Sequence, residues 1–233
     1  MSLPKRFYKE VSTAPDGDGI AVLLDGKPIH TPAKAKLSVP SQALADAIAE
    51  EWRSQTERID PETMRLTKLA NSAIDGVSGR ESAVLDDLIA FAGSDLLCYR
   101  ADAPEGLIAK QNEHWDPVLA WVKQELGAPF QFAQGIGHVA QPQASLDTIK
   151  ERLKGFDAFS LAALHVMTAL TGSALLALAV AHKRLTPEEA WEVAHVDEDW
   201  QISQWGEDAE AAARRAKRRQ EFDAASRMLD LLG

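Results

Sequence analysis

Apolar and polar residues alternate with a period of two over the first forty positions, and the pattern then shifts to the helical period. Phe7, Lys9 and Val11 alternate with Tyr8 and Glu10, which reads as a first strand, and Asp16-Gly17-Asp18-Gly19 makes a turn. Ile20, Val22 and Leu24 then fall on one face of a second strand. Asp25-Gly26 is a two-residue hairpin signal, because both central positions of such a turn need positive φ. Lys27 to Thr31 is the returning strand, and Ala35 to Val39 a fourth segment stopped by Pro40. An antiparallel sheet this small needs a cover over its apolar face. The next segment supplies one. Ser41 is placed to cap a helix in which Leu44, Ile48 and Trp52 recur at i, i+4 and i+8, while Glu50, Glu51 and Arg53 lie off that stripe. Asp60-Pro61 ends the unit, since a residue before proline avoids the helical region.

From Met64 onward every pattern is helical. Leu66, Leu69, Ala70, Ala73, Ile74 and Val77 form one amphipathic run that closes near Gly79, and Val84, Leu85, Leu88 and Ile89 form another. A loop around Ala103-Pro104-Glu105-Gly106 follows. Asp116-Pro117 is expected to open a helix marked by Val118, Leu119, Val122 and Leu126 and capped at Gly127. Residues 129–142 read as an irregular connector. The apolar stretch from Leu161 to Ala181 is interrupted by His165, Thr168, Thr171, Gly172 and Ser173, so it reads as buried helix broken near Thr171-Gly172 and not as a membrane span. Thr186-Pro187-Glu188-Glu189 combines a hydroxyl cap, a proline at the first helical position and acids against the helix dipole. A last long helix is expected from about Asp199 to Leu232, with Trp205, Ala209, Ala212 and Ala216 on one stripe. The fold class is therefore α+β: a small N-terminal antiparallel sheet covered by a helix, in an N-terminal α/β domain over 1–62, then a larger all-helical domain over 63–233.

Charge narrows the function. A net charge of −10 repels phosphate backbones, so nucleic acid is not the expected partner, whereas a protein with a basic patch is. The single cysteine, Cys98, excludes an intramolecular disulfide framework and a cysteine-rich zinc site. The segment from Met1 to Glu10 shows neither an apolar signal core nor an Arg/Ser-rich amphipathic stretch, so the expected compartment is the bacterial cytoplasm, or the matrix for a mature organellar form.

Enzyme signatures fail one by one. Gly135-Ile136-Gly137-His138 lacks the third glycine of a phosphate loop and its flanking strand and helix. The six histidines are scattered, with no pair at i, i+4, so no catalytic, metal or cofactor residue is assigned. His165 reads as a hydrogen-bonded core histidine and Cys98 as a small buried hydrophobe. An uncharacterised enzyme with a site around His114, His138 or His165 stays open as the alternative. Tryptophan is the unusual feature, at six residues against two tyrosines. Core packing accounts for most of them, and one or two are candidates for anchors at a partner surface. The acids Asp197-Glu198-Asp199, Glu207-Asp208 and Glu210 precede the bases Arg214, Arg215, Lys217, Arg218 and Arg219, in the order a solvated helix prefers.

Several stretches together resemble one family. Arg6-Phe7-Tyr8-Lys9, Leu23-Leu24-Asp25-Gly26-Lys27-Pro28, Glu51-Trp52, Met64-Arg65-Leu66-Thr67, Asp95-Leu96-Leu97-Cys98-Tyr99-Arg100, Trp115-Asp116-Pro117, Thr171-Gly172-Ser173 and Trp205-Gly206-Glu207-Asp208 occur in the order seen in the ATP synthase α-subunit assembly chaperones. The resemblance implies an N-terminal α/β domain and a C-terminal helical domain. It also implies transient binding of the unassembled α subunit of the F-type catalytic head, with no cofactor and no reaction. An important acidic residue is expected in the C-terminal segment, where Glu198, Asp199, Glu207 and Asp208 match. With Trp200 and Trp205 beside them, these make the candidate partner-binding set of a monomeric protein that does not insert into membranes.

Overall fold

In the computed structural model, residues 3–233 are described, and the chain divides into two compact units. The first holds the chain up to Glu81 together with Asp157–Ala163 and Arg227–Gly233; the second holds Ser82–Phe156 and Leu164–Ser226. The first unit thus reaches past the boundary expected at residue 62.

The sheet of the first unit is built on β2 (Gly19–Leu24), which pairs antiparallel with β1 (Val11–Asp16), with β3 (Lys27–Pro28) and with β4 (Ser38–Val39). Asp25 and Gly26 both have positive φ, at 48° and 76°, as the hairpin signal requires. The first strand begins later than its alternation suggested. Lys9 and Glu10 give their backbone N–H groups to the Asp25 carboxylate at 3.0 and 2.8 Å, and the regular pairing begins only at Val11. Tyr8 is the buried residue of that lead-in and Phe7 the exposed one.

Helix α1 (Gln42–Arg53) covers the sheet with Leu44, Ala45, Ile48 and Ala49. Ser41 caps it as expected, its hydroxyl accepting from Leu44 N–H at 3.1 Å while donating to the carbonyl of Leu231. Helix α2 (Arg65–Ser72) follows, continued by a π-turn over Ala73–Val77. Two side chains tie this segment to the sheet layer. Glu51 accepts from the backbone N–H groups of Leu66 and Thr67, at 2.7 and 2.8 Å, and from the Thr67 hydroxyl. Asp75 accepts from Thr31 Oγ1 at 2.6 Å and from Ala33 N–H.

The second unit is helical: α3 (Glu81–Gly93) leads into it, followed by α4 (Glu105–Trp121), α5 (Gln143–Leu153), α6 (Ala158–Thr171), α7 (Ala174–Ala181), α8 (Pro187–Ala194), α9 (Val196–Trp205) and α10 (Ala209–Leu232), with α6 and α10 each contributing one end to the first unit. A two-residue parallel pairing of Tyr99–Arg100 with Ala133–Gln134, here β5 and β6, is a small addition to the all-helical expectation. The break near Thr171-Gly172 is present, with Gly172 at φ 73° between α6 and α7. Thr186 and Glu189 form a reciprocal capping box at α8.

Two helix boundaries differ from expectation. Pro117 lies inside α4, which starts twelve residues earlier at Glu105. The carbonyl of Glu113, which proline cannot serve, sits on an exposed face where water can take its place. The C-terminal helix is two helices, α9 and α10, separated by Gly206-Glu207-Asp208. Gly206 adopts φ 86°, ψ 170°, a conformation in which a helix cannot continue.

Two buried ionisable side chains of the second unit, Asp95 and Arg100, find hydrogen-bond partners along the chain path. Asp95 is fully buried and accepts from the N–H groups of Leu97, Ala174 and Leu175 and from the Ser173 hydroxyl, so it serves the N-terminus of α7. Burial outweighs those bonds and raises its carboxyl to about 6. Arg100 is buried too. It donates to the Leu97 carbonyl, Asn112 Oδ1 and Asp116 Oδ1, and its guanidinium lies over the rings of Trp115 and Phe132.

Candidate functional site

The candidate residues converge on the elbow where α9 gives way to α10. Three contacts hold α9 in place. Gln111 of α4 donates to Asp197 Oδ1 at 2.7 Å. The Trp200 indole lies on Gly106, so close that a Cβ there would come within 2.4 Å of the ring. Arg215 of α10 pairs with the Asp199 carboxylate and, at 3.8 Å through Nε, with Glu198. Those carboxylates hold the Arg215 guanidinium above its ordinary range, chiefly through the Asp199 hydrogen bond. Past the glycine, Asp208 starts α10 by accepting from Ala211 N–H at 2.7 Å.

Between the two helices lies a cleft of about 260 Å³. Ile202, Ala211 and Ala212 form its apolar lining, while Glu198, Glu207, Asp208 and Arg215 surround it and Trp205 stands at its side. Trp205 is 79% exposed, the one tryptophan that the fold leaves to solvent. Trp115, Trp121 and Trp191 are core residues, and Trp52 and Trp200 are half-buried.

The six candidates thus divide. Glu198 and Asp199 are engaged by Arg215, and Trp200 packs on α4. Trp205, Glu207 and Asp208 face outward. Arg215, read from sequence as part of a basic run, is a member of the site, and so is Gly206. The run Trp205-Gly206-Glu207-Asp208, a glycine between a tryptophan and two acids, was the available signal for the elbow. Beneath it, His195 stacks on Trp191 at 4.0 Å and hydrogen-bonds through Nδ1 to the Trp191 carbonyl at 2.7 Å. Burial lowers its pKa, so Glu198 has in Arg215 its permanent cationic neighbour.

The histidines of the alternative reading sit on three different segments. His114 is half-buried on α4, and His138 Nδ1 lies 3.2 Å from the Tyr99 hydroxyl. His165 pairs with Asp87 at 2.6 Å on the outer side of α6, hydrogen-bonded as expected but only half-buried, with the edge of Phe91 of α3 beside it. Among the described residues no three His, Cys, Asp or Glu side chains converge as a metal would require. Cys98 is buried, and burial together with the charge of Asp95 pushes its thiol up to about 12, far from a reactive thiolate. No helix among the described residues is long and apolar enough to cross a membrane.

Comparison with known proteins completes the picture. The profile of the ATP12 chaperone protein family matches residues 5–123, half of the chain. A curated relative, the mitochondrial protein atp12 of Schizosaccharomyces pombe, is 27% identical over 214 residues, spanning 87% of this chain and 74% of its own. Among solved structures, a putative chaperone from Agrobacterium tumefaciens is 49% identical with a TM-score of 0.96, over 99% of this chain and 87% of that one. Atp12 from Paracoccus denitrificans is 41% identical with a TM-score of 0.94 and 99% coverage of both chains. The family profile stops short of the α9–α10 elbow, but the structural likeness runs through it, and by profile and structure alike the chain belongs to the ATP12 chaperone family.

Proposed function

We propose that this protein is an assembly chaperone of the F-type ATP synthase that binds the unassembled α subunit of the catalytic head and shields its β-facing surface until the β subunit takes over. An orphan subunit exposes an apolar face that would otherwise aggregate. A reversible cap for such a face needs an aromatic anchor on a rigid support with polar groups around it. The observation that carries the reading is Trp205, 79% exposed beside a cleft on two helices braced by Arg215. Membership in a chaperone family favours binding over catalysis. The protein acts as a monomer without cofactor or nucleic acid, in the bacterial cytoplasm, with the mitochondrial matrix as the place of action of organellar relatives.

Co-expression with the α subunit tests it. Light scattering by α should fall and a complex of the two chains should co-elute; unchanged aggregation and separate elution would reject the capping role. Glu207→Lys should weaken capture of α at least tenfold while leaving folding stability within about 0.5 kcal/mol of wild type, as expected for an exposed side chain. Equal loss of binding and stability would make Glu207 a structural residue.

A further inference from the structure

The chemistry of the elbow is more specific than that of an apolar anchor. Three carboxylates, Glu198, Glu207 and Asp208, line the cleft against one guanidinium, Arg215, which is already shared between Asp199 and Glu198. Asp208 spends one oxygen on the α10 cap. Among the described residues Glu207 has no hydrogen-bonded or ion-paired partner and feels Arg215 only through its field. Trp205 offers an uncovered indole on the same rim. At about 260 Å³ the cleft falls below the roughly 300 Å³ at which small-molecule sites begin, so it suits one long side chain and not a metabolite.

From this we infer that the cleft is a subsite for a single arginine side chain presented by the partner polypeptide. Its methylene stem lies over Ile202, Ala211 and Ala212, its guanidinium stacks on Trp205, and its N–H groups donate to Glu207 and to the free oxygen of Asp208. Each part answers a feature of the site. Apolar lining suits the stem of a cationic side chain that keeps its head at the rim. An indole face attracts a guanidinium through the ring quadrupole, and a planar fork matches a carboxylate better than an ammonium does. The excess of acid over base excludes an anionic occupant. The inference rests on the reading of the elbow as the partner-binding site, and adds which residue type that partner must present.

The test uses the full-length protein and the peptide acetyl-Leu-Arg-Leu-amide, with citrulline as the neutral isostere of the arginine. Binding is followed at the Trp205 indole N–H resonance, assigned by its loss in Trp205→Phe. The arginine peptide should shift that resonance, and the citrulline peptide should bind at least fivefold more weakly. Glu207→Gln should abolish the difference between the peptides, and Trp205→Ala should reduce arginine-peptide binding, followed at backbone resonances of Ala211 and Ala212, at least fivefold. Equal binding of the two peptides, no binding of either, or discrimination that survives Glu207→Gln would overturn the subsite. Capture of the α subunit, measured in parallel, separates the two proposals. Capture without peptide discrimination sinks the arginine subsite alone, while discrimination without capture sinks the α-subunit assignment and leaves the subsite standing.

Discussion

Asp25, Glu51 and Asp95 show how much a carboxylate's role depends on what the fold brings to it. Asp25 was readable in advance, because a hairpin turn is a local rule and both central φ angles obey it. Glu51 was not. Its place off the apolar stripe of α1 suggests a solvated acid, yet it reaches across to serve the exposed N–H groups of α2, and burial raises its pKa. No spacing within α1 announces a partner fifteen residues on. Asp95 goes further, since three of its four donors, Ser173, Ala174 and Leu175, come from a distant segment, and it carries a measurable consequence. Its folded-state value of about 6 lies above the ordinary value of 3.8, so the folded protein holds this proton more tightly than the unfolded chain. The associated stability is fully present below the ordinary value and is lost as pH rises through 6. At 1.36 kcal/mol per unit, wild type should gain about 2 kcal/mol between pH 7 and pH 4.5 relative to Asp95→Asn, which cannot titrate. Urea unfolding of both proteins at the two pH values measures this directly. Parallel curves would show that the donors, and not burial, govern the Asp95 carboxyl.

Helices were legible where their ends are written in local chemistry, and misplaced where tertiary contacts decide. The Thr186 capping box and the Ser41 cap fall where the sequence puts them. The C-terminal helix does not, because Trp205, Ala209, Ala212 and Ala216 keep a helical period straight through the elbow. A single glycine in such a run costs only about 1 kcal/mol, too little to predict a break. What favours the break is that α9 packs Trp200 on α4 while α10 buries Phe222 against Trp191, an arrangement in which Arg215 also reaches Asp199. On periodicity alone Trp205 reads as core, and it entered the candidate set only beside the acids that the family resemblance pointed to. The elbow should therefore depend on Gly206, whose φ and ψ belong to a region that essentially only glycine enters. Gly206→Ala is expected to cost between about 1 and 3 kcal/mol in urea unfolding. It should also reduce α-subunit capture by more than Ser203→Ala does on the neighbouring exposed turn. An alanine variant with wild-type stability would show that the elbow is not held by its backbone conformation.

At the scale of the whole molecule, a net charge of −10 acts before any contact forms. Charges of one sign steer a basic partner over distances comparable to the Debye length, about 10 Å at 0.1 M salt, and raise the association rate more than they slow dissociation. The elbow adds a local excess of acid at the place where the proposed contact is made. Two kinds of recognition therefore have different signatures. If Trp205 anchors by apolar burial alone, the elbow acids will add nothing to the salt dependence that net charge already gives to association with the α subunit. If Glu207 and Asp208 receive a cationic group, the association rate should fall by roughly tenfold between 20 and 300 mM salt, with a much smaller change in the dissociation rate. Stopped-flow measurement of the intrinsic tryptophan signal on mixing with α supplies both rates. Glu207→Lys sharpens the test, because it moves the local charge by two units while leaving the rest of the surface alone. Its association rate should be slower at low salt and converge on wild type at high salt, where the field is screened. Association rates that coincide at every ionic strength, with only dissociation faster in the variant, would instead place the effect of Glu207 in the bound complex, where shape and hydrogen bonding, rather than steering, decide how tightly the partner is held.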